Sequence, residues 1–80
     1  MTEVELDEIA RRVLGRIGGT LRRVSRLESG NWNVEYDHPK ASPLWLQTEV
    51  YDRPGGSPAD LALVEQDLGR GIGYGIASMD

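Results

Sequence analysis

The stretch LRRVSRLESGNWNVEYD, residues 21–37, decides the fold because it reads as two strands joined by a turn. Its second half alternates apolar and polar residues, which places Trp32, Val34 and Tyr36 on one face. Such alternation is typical of a strand with one buried side, and Ser-Gly at 29–30 is typical of a tight turn. The stretch therefore predicts a β-hairpin whose loop is residues 29–30.

The register of this hairpin follows from counting outward from a two-residue loop. Leu27 then faces Trp32, and Arg22 faces Asp37, so that opposite charges meet on the outer side. The same register leaves Arg23 beside Tyr36 on the apolar side, and either a β-bulge or an arginine whose head group extends to solvent would relieve this conflict. The remaining predicted pairs are Arg26 with Asn33 and Val24 with Glu35.

A helix is predicted before the hairpin. Thr2 followed by Glu5 is a capping box, and apolar residues recur at helical spacing until the glycines at 18–19 stop the helix. We place this helix over 3–17. Its apolar residues are Val4, Leu6, Ile9, Ala10, Val13, Leu14 and Ile17.

A third strand and a second helix follow the hairpin. After a loop with two prolines, residues 44–52 read as a strand that carries Leu44 on one face and Trp45 and Tyr51 on the other. Ser57 precedes a proline and starts a helix that we place over 58–68, ended by a glycine.

The tail at 69–76 alternates glycine with larger residues, which predicts a terminal strand with Ile72, Tyr74 and Ile76 on one face. The element order is then α-β-β-β-α-β. We predict one small two-layer α+β domain over 1–80, with an antiparallel sheet and both helices packed on one face.

Charge is distributed unevenly within a net charge of −4. Residues 9–27 contain six arginines and no acid, whereas the flanking segments are acidic. Because phosphate binding needs net positive charge, the balance speaks against general nucleic-acid affinity, with the arginine block as the one exception.

Several classes of chemistry are excluded by composition. The chain has no cysteine, which removes disulfides and thiolate zinc sites and favours the cytoplasm. No apolar run is long enough to cross a membrane, and the acidic N-terminus is unlike a signal peptide. His38 is the only histidine and has no evident nucleophile or orienting partner. We expect no catalysis, no metal and no cofactor.

The surplus of aromatic residues predicts a non-catalytic protein-binding module, with a protein partner or a second copy as the ligand. Arginine far outnumbers lysine, which suggests a GC-rich bacterium or its phage. In size, acidity and composition the chain resembles phage-encoded stoichiometric inhibitors, including anti-CRISPR proteins. That resemblance implies an inhibitor of nucleic-acid-handling machinery.

Two sets of residues are predicted to serve binding. The interaction surface comprises Trp45, Tyr51, Ile72, Tyr74 and Ile76. The electrostatic contacts comprise Arg22, Arg23, Arg26, Glu35, Asp37, Glu49 and Asp52.

Three alternatives remain open. The first is a nucleic-acid-binding accessory protein, or an uncharacterised bacterial subunit, that uses Arg22, Arg23 and Arg26. The second is a small enzyme or ligand-binding domain that uses His38 and nearby acidic residues. The third is purely structural: the tail completes the sheet and Trp45 covers a second small core.

Overall fold

A computed structural model describes residues 1–79 as two helices and a three-stranded antiparallel sheet. The elements are α1 at Glu3–Gly15, β1 at Thr20–Arg26, β2 at Trp32–Asp37, β3 at Leu46–Val50 and α2 at Pro58–Ala77. The strand order is β1-β2-β3, and α1 packs on β1 while α2 packs on β3 and on α1. The predicted two-layer α+β fold is confirmed. We call the helix-covered side of the sheet the inner face and the other side the outer face.

The first helix begins at the predicted capping box. The Glu5 backbone N–H donates to the Thr2 hydroxyl at 3.2 Å, and the Thr2 N–H donates to the Glu5 carboxylate at 2.8 Å. The helix ends at Gly15, two residues early, because the chain turns at Gly18 with a φ of 76°. Ile17 therefore lies beyond the helix and is exposed rather than buried.

The buried stripe of α1 is also narrower than the sequence predicts. Val4 is 67% exposed, since the first turn presents it away from the sheet. The helix buries the other five predicted apolar residues, which are Leu6, Ile9, Ala10, Val13 and Leu14.

The hairpin forms, but its predicted register is wrong by one residue. Its loop is longer than two residues: the Leu27 N–H donates to the Asn31 carbonyl at 2.8 Å, and the Gly30 N–H donates to the Leu27 carbonyl at 3.0 Å. Gly30 adopts a φ of 93°, as a turn followed by a bulged glycine requires. Arg26 therefore faces Trp32, in place of Leu27.

A β-bulge between Leu21 and Arg23 increases this offset to two residues farther along β1, where Thr20 and not Arg22 faces Asp37. Arg23 faces Glu35 on the outer face before the bulge, and Leu21 pairs with Tyr36 on the inner face beyond it. Arg22 still reaches Asp37, and its guanidinium lies 3.2 Å from the carboxylate. Of the two ways to place Arg23, the structure adopts the bulge, and the predicted Arg22–Asp37 register is wrong, although the two side chains still form an ion pair.

The third strand is shorter than predicted, because residues 44 and 45 precede it and residues 51 and 52 follow it. Its inner side carries Leu46, Thr48 and Val50, which pair with the inward residues of β2. Gln47 and Glu49 lie on the outer face and are exposed.

The predicted terminal strand at 69–76 is wrong, because α2 continues without a break to Ala77. Buried Val64, Leu68 and Ile72 recur at helical spacing through the glycines. Two of those glycines allow the helix to approach the sheet. A methyl group added at Gly71 would overlap the Thr48 hydroxyl, and one added at Gly75 would overlap the Tyr36 hydroxyl.

Candidate functional site

The predicted interaction surface does not form one surface. Ile72 is fully buried and Ile76 is half-buried against the core, so neither can serve as an exposed contact. Tyr74 is exposed on α2, which covers the inner face. Trp45 and Tyr51 are exposed at opposite ends of β3, and at about 3.3 Å per residue they lie about 20 Å apart.

Trp45 lies in a local arrangement with two charged residues. The Arg22 guanidinium lies over the indole at 5.5 Å from the ring centroid, and the same guanidinium is paired with Asp37. This contact orients the ring on the outer face, yet 45% of Trp45 remains exposed. Within residues 1–79 its indole N–H has no acceptor. The side chain therefore keeps both a free apolar surface and a free donor.

A groove of about 310 Å³ opens near Trp45, between the start of β1, the end of β2 and the loop that precedes β3. Its lining residues are Gly18, Thr20, Asp37, His38, Pro39, Ser42, Pro43 and Leu44. Leu44 is 68% exposed and is adjacent in the chain to Trp45, while Asp37 belongs to both the groove and the Trp45 arrangement. We call the groove together with Arg22, Asp37, Leu44 and Trp45 the tryptophan corner.

His38 holds the loop that forms this groove. Its Nδ1 accepts a hydrogen bond from the Lys40 N–H at 3.2 Å, so Nε2 is the nitrogen that donates to the Ile17 carbonyl at 2.9 Å. Both ring nitrogens are therefore used by the backbone. The imidazole joins the loop to the segment that follows α1.

Every arginine of the 9–27 block has a carboxylate partner. Arg11 pairs with Asp7, and Arg12 and Arg16 both pair with Glu65 of α2. The three arginines of β1, which are Arg22, Arg23 and Arg26, pair with Asp37, Glu35 and Asp52, respectively. Five carboxylates thus pair with the six arginines, and the cluster that looks basic in the sequence is largely balanced in the fold.

The remaining predicted electrostatic residues lie near the opposite end of β3. The Trp32 indole N–H donates to Asp52 at 2.9 Å, and this hydrogen bond is the main reason that the pKa of Asp52 is lowered. The Arg26 guanidinium lies 4.2 Å from the Trp32 ring centroid. Glu49 accepts a hydrogen bond from the Asn31 amide at 2.9 Å. These residues hold the hairpin loop to the end of β3.

The sequence did not point to the groove, although it did predict Trp45. Leu44 was assigned to the buried side of a strand, whereas it belongs to the loop that precedes β3. The sequence does contain one signal for the groove: Pro39 and Pro43 lie in a short loop that ends at the apolar residues Leu44 and Trp45. Prolines of this kind indicate a rigid loop.

No protein-family model, curated protein or solved structure matches the chain. Among residues 1–79, no three His, Cys, Asp or Glu side chains converge as metal ligands. Neither of the two helices in that range has the length and apolarity needed to cross a membrane. Function must therefore be argued from the outer face and the tryptophan corner themselves.

Proposed function

We propose that the protein is a non-catalytic binding module that contacts a partner protein through the tryptophan corner. The observation that carries the proposal is the exposure of Leu44 and Trp45 beside a preformed groove. A tryptophan next to an apolar pocket is the kind of residue on which binding hot spots are centred. The anchored loop and the overlying arginine reduce the conformational entropy that binding must overcome.

The chemistry of the corner favours an apolar side chain of the partner as the inserted group. Pro39, Pro43 and Leu44 supply apolar walls, and Thr20 and Ser42 supply hydroxyls at the rim. The free indole N–H of Trp45 can donate to a carbonyl of the partner backbone. This combination of an apolar centre and a polar rim is typical of protein interfaces.

A finer proposal is that the partner is a nucleic-acid-handling protein and that the chain inhibits it stoichiometrically. What supports this step is the net charge of −4 together with the pairing of every arginine in the 9–27 block. An acidic chain without a free basic patch is attracted to a basic groove and not to the nucleic acid. The cytoplasm remains the proposed location on the strength of the cysteine-free composition.

Paired capture experiments test the binding module. Wild-type chain, Leu44→Ser, Trp45→Ala and Val4→Ser are immobilised and exposed to lysate of the native host, and bound proteins are quantified by mass spectrometry. Val4 is the matched control because it is 67% exposed, against 68% for Leu44, and lies on α1. A partner retained by wild type and Val4→Ser but lost by Leu44→Ser supports the proposal. Capture that is insensitive to both Leu44→Ser and Trp45→Ala contradicts it.

The nucleic-acid alternative is tested separately by fluorescence anisotropy with labelled single-stranded DNA, duplex DNA and RNA over a series of salt concentrations. Because Arg22, Arg23 and Arg26 are all paired, we expect weak binding with little salt dependence. Tight binding that weakens steeply with salt and is lost on Arg23→Ala would favour the alternative.

A further inference from the structure

The two edges of the sheet differ in how well they could accept another strand. Each edge strand pairs on one side only, so alternate backbone N–H and C=O groups point away from the sheet. On β1 this edge is interrupted by the bulge between Leu21 and Arg23 and carries arginines. Bulges and charges of this kind prevent edge pairing. β3 has no bulge, its register with β2 is regular along Leu46–Val50, and Glu49 is its one charged residue.

We propose that two copies of the chain pair antiparallel along β3, about a two-fold axis at Thr48, and join their sheets into one. In this register Leu46 faces Val50 of the second copy on the inner side. On the outer side Gln47 faces Glu49, and Trp45 faces Tyr51. Each pair occurs twice because of the symmetry. The strand is thus complementary to itself in size and aromatic character, and each Glu49 faces an uncharged amide.

The alternative registers are poorer. A shift by one residue would turn the outer face of one copy toward the inner face of the other, which burial of the inner face forbids. A shift by two residues in one direction places Glu49 opposite Glu49, and like charges directly opposite are destabilising. The opposite shift places Trp45 against Glu49. Only the register centred on Thr48 pairs the two aromatic side chains, and such cross-strand pairs are stabilising.

A second observation points to the same side of the molecule. Asp67 of α2 pairs with Arg53, which follows β3, so this flank of the helix lies over the β3 edge. Leu63 and Tyr74 lie four residues before and seven residues after Asp67, on the same flank. They are 42% and 73% exposed. In a dimer joined along β3, the α2 helix of the second copy would lie against Leu63 and Tyr74. It would cover apolar surface that a small monomer leaves exposed to water.

Disulfide trapping tests the register directly, because the chain has no cysteine of its own. Gln47→Cys and Glu49→Cys are made separately, and the two are mixed in equal amounts and oxidised under mild conditions. Positions 47 and 49 are directly opposite in the proposed dimer, whereas either position is one diagonal step from itself. The mixed disulfide should therefore dominate over both homodimers. Asn33→Cys, on the outer face of the central strand, is the matched control and should not cross-link.

Sedimentation measures the association without cross-links. Wild-type chain should shift from monomer to twice the monomer mass as its concentration rises to millimolar. The double variant Gln47→Lys/Glu49→Lys places like charges opposite each other twice, so its dissociation constant should rise by about tenfold. Gln47→Lys alone faces Glu49 of the second copy and should not weaken the dimer. Circular dichroism confirms that each variant is folded.

Three outcomes would overturn the proposal. They are a wild-type mass that stays monomeric at every concentration, equal yields of all three disulfides, and preferential trapping through Ser25→Cys on β1. A monomer that binds a foreign strand along β3 would likewise replace self-pairing with another occupant. Trp45 belongs to both proposed contacts, so Leu44→Ser, which lies outside the β3 pairing, is the variant that separates loss of partner capture from loss of the dimer.

Discussion

Trp32 and Trp45 have neighbours of the same residue types, although they lie on opposite faces of the sheet. Each indole has an arginine over its ring, and each arginine is paired with an aspartate: Arg26 with Asp52 for Trp32, and Arg22 with Asp37 for Trp45. The two arrangements differ in burial and in hydrogen bonding. Trp32 is 5% exposed and donates its N–H to Asp52, whereas Trp45 is nearly half exposed and has no acceptor within residues 1–79.

This difference indicates that Trp32 stabilises the fold and that Trp45 is available for binding. All the bonding capacity of Trp32 is used inside the domain, where it joins the hairpin to the end of β3. Trp45 is oriented by Arg22 but its outer surface is left unused. An oriented, incompletely satisfied tryptophan on a rigid face serves recognition better than packing. Substitutions on the two faces should therefore have unequal effects on stability.

The largest effect is expected for Trp32→Ala. Truncating a buried tryptophan leaves a cavity and removes a hydrogen bond to the Asp52 carboxylate, so the free energy of unfolding should fall by about 3–5 kcal/mol. Urea unfolding followed by circular dichroism measures the loss. A decrease below about 1 kcal/mol, the level expected of a surface site, would remove the distinction between the two tryptophans.

The close packing of α2 on the inner face should also make substitutions at the glycines of α2 destabilising wherever the helix contacts the sheet. Gly71→Ala would overlap Thr48 and should destabilise the domain by about 1–3 kcal/mol through overpacking. Gly73→Ala is the matched control, because nothing lies within 4 Å of an added methyl group there. At that position alanine should raise stability by about 0.5–1 kcal/mol through helix propensity. Equal effects at the two sites would mean that α2 does not approach the sheet closely.

These glycines also explain what the sequence could and could not predict. Alternation at 69–76 is a strand pattern, but the apolar spacing of Val64, Leu68 and Ile72 was already helical and continued through it. Tertiary packing decided between the two patterns, because α2 can lie on the sheet only where glycines face it. The first helix was predictable because its capping box is local. The hairpin register was not, since it depends on the positive φ of Gly30.

For the site, the sequence supplied Trp45 but not its surroundings. The exposure of an aromatic on the open side of a strand follows from alternation alone. The groove depends on how residues 38–44 return against Gly18 and Thr20, and that contact is set by the His38 bond to the Ile17 carbonyl. The prediction that Ile72 belongs to the interaction surface is wrong because residues 69–76 continue α2 and do not form a strand.

Acid pH should sharpen the comparison further. The pKa of Asp52 is lowered in the folded chain, first by the Trp32 hydrogen bond and also by the Arg26 charge. Its stabilisation is therefore complete above the unfolded pKa of about 3.9 and is lost as pH falls through the folded pKa. Free energies of unfolding for wild type and Asp52→Asn should differ at neutral pH and converge in acid. Parallel curves would show that this carboxylate contributes nothing through its ionisation.

The smallest effect is expected for Trp45→Ala, and it tests most directly whether Trp45 is placed for binding. The variant loses an exposed cation–π contact and part of a half-exposed ring, so the free energy of unfolding should fall by about 1 kcal/mol or less. The measurement is urea unfolding at a chain concentration low enough that the midpoint does not depend on it. A loss approaching that of Trp32→Ala would contradict the account, because Trp45 would then be a core residue.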